Sequence, residues 1–250
     1  MVEMSGSSGP TEQLLSTLAA AADGFTQAGD RRKEAVTRFE LGSYLLQMDR
    51  GGAAFEQFRR AAEIVEQRGF TAPAAQALLG CGHALTADGR HEESLQWFDQ
   101  AISQFVRSQD EAGELETSAA KLEALADLHR WSDTKLSSKI ITATEHTDDP
   151  RLLTFRLVAY RYRTQAQLQS GDPMGSLGPA RKAADAASRL GDPHTEATFR
   201  LALAHNLRLL KDSEQAAEEY EHVLAMVSDL PDAADLESAA LEGLGATIDG

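Results

Sequence analysis

Three short stretches of this sequence hold the residue types that catalytic and binding sites use. Gly80-Cys81-Gly82 sets a thiol between glycines, Gly175-Ser176-Leu177-Gly178 sets a hydroxyl near two glycines, and His91-Glu92-Glu93 sets an imidazole beside two carboxylates. None has the spacing its chemistry requires. A dinucleotide loop needs a third glycine and a preceding strand, and no Gly-Lys-Ser/Thr phosphate loop occurs. A nucleophile elbow needs one residue between each glycine and the serine, whereas Ser176 directly follows its glycine. The seven histidines include no pair at helical spacing with a Glu to hold zinc, so His83 and His205 are not read as ligands. Cys81, next to a packing glycine, reads as a small buried residue. These readings predict no catalytic residue, no metal and no cofactor, and hence not an enzyme.

One segment is unusual in charge. Arg151, Arg156, Arg161 and Arg163 fall between Arg151 and Gly171 with no acidic residue among them, although the chain as a whole has 24 Lys+Arg against 39 Asp+Glu. Two readings stand: a solvated helix face paired with neighbouring carboxylates, or an anion-recognising patch to which Tyr160 and Tyr162 add contact area.

A net charge of −15 repels phosphate backbones and anionic headgroups, which disfavours nucleic acid and membrane surfaces as partners and fits a basic partner or basic peptide better. No stretch approaches the ~20 apolar residues of a membrane span, and residues 1–30 lack a secretory signal pattern. The single cysteine excludes an intramolecular disulfide, and a cytoplasmic protein is expected. Residues 1–10, with Ser5-Gly6-Ser7-Ser8-Gly9-Pro10, read as a flexible tail.

The rest repeats. Leu41-Gly42 with Leu45, Arg50, Ala54, Phe58 and Ala61 lines up with Cys81-Gly82, Leu85, Arg90, Ser94, Phe98 and Ala101. Leu136, Ile140 and Ala143 continue the second half of the pattern, then Ser176, Ala180 and Ala183, then Ala216, Tyr220 and Val223, at spacings of 40, 42, 40 and 40 residues. Within each copy apolar residues recur at three- and four-residue steps on either side of a polar break such as Asp88-Gly89-Arg90 or Lys211-Asp212-Ser213, which predicts two helices joined by a short turn and therefore antiparallel. Breaks at Arg68-Gly69, Ser108-Gln109-Asp110, Asp148-Asp149-Pro150, Gly191-Asp192-Pro193 and Leu230-Pro231-Asp232 separate the copies.

This pattern resembles the tetratricopeptide repeat (TPR) family: Leu41, Gly42, Leu45, Ala54, Phe58 and Ala61 in the first copy, and Leu203, Ala204, Leu207, Ala216, Tyr220 and Val223 in the fifth, occupy the family's Leu-Gly, large, Ala, aromatic and Ala places. The resemblance implies an all-α, right-handed α-solenoid of antiparallel helix pairs. The period departs from the family's ~34 residues, because the helices are longer. HEAT and armadillo repeats share the longer period but not these positions. The third copy, with Trp131 near its turn, fits least well. One solenoid is expected over residues 11–250, with repeats at 31–70, 71–110, 111–150, 151–192 and 193–232, an unpaired helix at 11–28 and another at 233–250. The two ends suggest either a piece of a longer protein or self-association through Leu14, Leu18, Leu241, Leu244 and Ile248.

In the family the first helices of each pair line a groove for peptides or helices of partner proteins. Carried over, that groove comprises Phe39, Ser43, Leu46, Leu79, His83, Thr86, Lys121, Leu125, Arg161, Gln165, Leu201, His205 and Arg208. The asparagines of the carboxylate clamp used by some relatives are absent. The resemblance thus implies an adaptor or scaffold that binds a partner peptide or helix; the alternatives are a sensor or regulatory domain of a larger protein and a self-assembling repeat protein.

Overall fold

The computed structural model describes residues 10–67, 71–228 and 230–248, with side chains for all of these but residues 10 and 248. Among them the chain is all α: α1 Pro10–Ala28, α2 Arg31–Gln47, α3 Gly51–Glu66, α4 Thr71–Ala87, α5 His91–Ser108, α6 Glu111–Asp127, α7 Thr134–Thr144, α8 Pro150–Gln169, α9 Pro173–Leu190, α10 Pro193–Leu209, α11 Ser213–Val227 and α12 Ala234–Ile248. Residues 1–9 of the expected tail, the Arg68-Gly69 break and the Ile248 side chain lie outside the described residues. Pro10, counted with the tail by sequence, is instead the first residue of α1, where proline's missing N–H and fixed φ are no handicap.

One link recurs between helices. A residue in the left-handed region (Gly29, Asp49, Gly89, Gln109, Gly171, Gly191 or Lys211) is followed by an Asp or Arg that starts the next helix. The amide of that starter donates back five residues, as Asp30 does to the Phe25 carbonyl at 3.0 Å and Asp212 to Leu207 at 3.0 Å, closing the preceding helix in a Schellman motif. Where the starter is aspartate, its carboxylate caps the new helix: Asp30 accepts from the Lys33 amide, Asp110 from Gly113, Asp172 from Gly175, Asp192 from Thr195 and Asp212 from Gln215. Repetition of one turn gives each helix pair a similar geometry, and it places part of the chain's negative charge at helix N-termini, where it stabilises.

The cap also sets the phase of packing. Four residues after the starter of a second helix stands a small, fully buried side chain: Ala54, Ser94, Ser176 and Ala216. In α7 the starter is Asp133, so that place belongs to Ser137, which is also fully buried. The sequence alignment through Leu136 and Ala143 is therefore one residue out of register; Leu136 is half-buried and Ala143 exposed. Ile140 is buried as expected.

The helices fall into two compact units that divide after Leu128. In the first, each of α1 to α6 packs on its chain neighbours; in addition the backbone of α4 approaches those of α2 and α6, while α3 and α5 stand farther apart and meet through the rings of Phe55 and Trp97 at 5.4 Å. The first helices thus form an inner row. α4 is enclosed between α3, α5, α2 and α6, which is why it is apolar nearly all round, with residues 77–82 all buried. Its core joins Leu15, Leu41, Leu45, Ala54, Phe58, Cys81 and Ala84. In the second unit α7 to α12 pack in succession, α10 also touches α12, and Leu203, Leu207, Tyr220, Val223 and Ala240 share a core.

Polar groups are buried or half-buried at matching places in both units. In the first, Glu34 and Arg38 pair at 3.0 Å and Arg38 also reaches Gln57 and Thr26. In the second, Arg200 bonds Glu196 at 2.9 Å and Glu219 at 3.2 Å. Each set ties a first helix to its second helix below the inner face.

Candidate partner-binding surface

The short motifs with chemical residue types are structural. Cys81 is fully buried within α4, and burial pushes its thiol up to about 12, so it carries no thiolate at neutral pH. Gly80 and Gly82 leave room for the rings of Phe58 and Phe98. Ser176 donates to the Pro173 carbonyl at 2.7 Å and accepts from the Asn206 amide at 3.1 Å, with no imidazole in its bonding shell. His91 stands 3.4 Å from Asp127. Among the described residues no group of three or more His, Cys, Asp or Glu is placed to hold a metal ion, and no helix is long and apolar enough to cross a membrane.

The four arginines of α8 do not form a patch. Arg151 lies over the Phe155 ring at 5.9 Å, Arg161 is exposed, and Arg163 reaches the Ser138 hydroxyl at 3.4 Å. Arg156 is buried, donating to the carbonyls of Thr144 and Glu145, each at 2.8 Å, and to Thr147 at 3.3 Å. It closes the C-terminal end of α7, whose last carbonyls have no helical partner. Steps of five residues turn a helix by about 500°, or roughly 140° net, so residues 151, 156 and 161 cannot share a face.

The residues assigned to the groove are dispersed in accessibility. In the first unit Phe39, Ser43, Leu46, His83 and Thr86 are half-buried on the inner row. Phe39 meets Phe58 edge-on at 5.3 Å, Ser43 donates to the Phe39 carbonyl at 3.0 Å, and Thr86 donates to Gly82 at 3.0 Å. His83 lies against Phe98 at 5.7 Å; burial holds its pKa below the ordinary 6.5 against the opposing pull of Glu116, so it is neutral at neutral pH. Leu79 and Leu125 are only 4% and 5% exposed and belong to the core, not to an open surface. Lys121 turns away from the inner row, its ammonium 2.6 Å from Asp99 on α5. In the second unit Gln165, Leu201 and Arg208 are half-buried, while Arg161 and His205 are exposed, with His205 Nδ1 3.2 Å from the Tyr220 hydroxyl. Of the residues assigned to self-association, Leu14 is 39% and Leu241 55% exposed, whereas Leu18 and Leu244 are half-buried on their own units' cores.

What sequence reasoning missed is a cleft of about 850 Å³ beside Phe39. Arg31, Arg32, Ala35, Val36, Phe39 and Glu40 of α2 form one wall, Ala61, Ile64 and Val65 at the end of α3 another, and Pro73, Gln76 and Ala77 at the start of α4 the third. Val36 is 53% exposed at its lip. Such an opening is not inherent in the repeat. Gly80 lies on the Phe58 ring as Gly243 does on Tyr220, which aligns α4 with α12. In that register Pro73 stands where Leu236 stands, and Ile64 of α3 where Met226 stands in α11. In the second unit Leu236 and Met226, together with Leu230, pack onto the core. Among the described residues, the first unit thus has the compact ring of Pro73 and the shorter Ile64 side chain at the places where the second unit has leucine and methionine. The signal was present in the sequence, as a proline where its counterpart is leucine.

No family profile matches the chain, and no curated protein matches it in sequence. Solved structures do share the fold. RapI in its apo form superposes with a TM-score of 0.62 at 14% identity, covering 96% of this chain and 91% of that one. The TPR-like repeats of a kinesin light chain-type protein from Podosopora anserina give 0.60 at 13% identity, covering 77% of this chain and 93% of that one. The helix pairs, their succession and these likenesses agree: the chain has a TPR-like, all-α fold.

Proposed function

We propose that the chain is a protein-binding module, an adaptor or scaffold, which takes an apolar segment of a partner protein into the cleft between α2, α3 and α4. The observation that carries this is the cleft itself: an open, mainly apolar concavity in a chain of net charge −15, with Val36 exposed at its edge. Seating apolar side chains there removes them and Val36, Phe39 and Ile64 from water, worth roughly 2 kcal/mol for each side chain fully covered. Loss of translational freedom and ordering of the segment offset much of that, which points to micromolar rather than nanomolar affinity. Phe39, Ser43, Leu46, His83 and Thr86 extend the surface along the inner row.

The test compares the full chain with its Val36→Asp variant as bait in native cell extract. Val36 is exposed, so the change leaves the core intact. A protein retained by the wild type and lost with Val36→Asp supports the reading; identical recovery by both baits contradicts it.

A further inference from the structure

The cleft is apolar at its floor but polarised along its lip. Arg31-Arg32-Lys33 opens α2 and is the only run of three basic residues in a chain of net charge −15. Glu34 holds Arg31 at 2.9 Å, and Asp30 holds Lys33 at 3.3 Å. Arg32 is exposed on the cleft wall and makes no hydrogen bond or salt bridge among the described residues, although Asp30 feels its field. It lies in the first turn of α2, where unpaired backbone amides add positive potential. Eight residues on, about 12 Å along the helix axis, the exposed Glu40 gives the same wall the opposite sign.

Resting on the function proposed above, we infer that the segment recognised is apolar with an acidic side chain next to its apolar residues, and that this carboxylate docks on Arg32. A guanidinium offers a carboxylate two parallel N–H donors, which fixes direction as well as sign. Glu40 repels a carboxylate at the other end, so the two charges together select one orientation of the bound chain. A basic or purely apolar segment gains the floor but not the lip.

The experiment pans a randomised peptide library displayed on phage against the full chain, the Arg32→Glu variant and the Val36→Asp variant. Glutamate in the first turn of a helix is favourable, so Arg32→Glu preserves the fold. The expected result is peptides with Asp or Glu beside apolar residues, bound roughly tenfold more weakly by Arg32→Glu, the worth of an exposed pair lost and then reversed. Panning on Arg32→Glu then selects Lys or Arg at the same place. Peptides that are lost on Val36→Asp but show no acidic preference and bind Arg32→Glu unchanged overturn this inference while leaving the proposed function standing. Recovery of no peptide, or of peptides indifferent to Val36→Asp, overturns both.

Discussion

The ring of Phe58 lies so close over Gly80 that a Cβ at position 80 would come within 2.7 Å of it. The ring cannot retreat: it is 2% exposed, Gly42 bounds its other side and Phe39 meets it edge-on at 5.3 Å. Gly80→Ala is therefore expected to destabilise by about 1–3 kcal/mol despite alanine's better helix propensity. Gly245 on α12, whose Cβ would meet nothing within 4 Å, is the control, and Gly245→Ala should be neutral or stabilise by up to about 1 kcal/mol. Urea unfolding of both variants measures the difference; equal stabilities would contradict the packing described.

The buried Glu34–Arg38 pair should be costly to halve. Arg38→Met removes the buried partner of Glu34 and leaves it the half-exposed Arg31, with an expected loss of about 2–3 kcal/mol. Burial raises the Glu34 pKa, but side-chain hydrogen bonds with Thr26, Arg31 and Arg38 outweigh it and hold the carboxyl below its ordinary 4.5. Folding thus favours the ionised form, so this contribution is intact above pH 4.5 and is lost as pH falls through the lower folded value. Urea midpoints of wild type and Glu34→Gln across this range should converge on acidification; a constant gap would contradict the assignment.

Cys81 should be inert in the folded protein. With its thiol buried and raised to about 12, reaction with a thiol reagent at neutral pH requires unfolding, and the labelling rate should follow the open population as urea is added. Rapid labelling without denaturant would contradict the burial.

Arg156 should matter to stability rather than to anion binding. Its charged hydrogen bonds to three carbonyls close α7, and Arg156→Met is expected to cost about 3 kcal/mol and to speed amide exchange in α7 first. Unchanged exchange there would contradict the role.

Much of the fold was legible because one unit recurs. The Gly-Asp and Gly-Arg breaks, the small residue at 54, 94, 176 and 216, and the aromatics at 58, 98 and 220 all carry a mechanical requirement that the structure shows as a turn, a close approach and a gap filled. The third copy slipped by one residue because Leu136 is apolar and Ser137 is not; only the Asp133 cap reveals that the serine is the buried one. The groove was less legible. Leu79 sits one position before Gly80, which draws that part of α4 onto Phe58 and buries it, and Lys121 is turned by a carboxylate on α5 that no helical pattern announces. The cleft has one mark in the sequence, Pro73 where its counterpart is Leu236, and a search for residues that repeat passes over a single difference.

Methyl NMR of the full chain, labelled at Ile and Val and titrated with the peptide selected on it, tests the central claim most directly. Shifts are expected at Val36, Ile64 and Val65, which line or rim the cleft, with Val158 and Val223 unmoved in the second unit's interior. Shifts confined to other methyls, with those three unchanged at saturation, would contradict it.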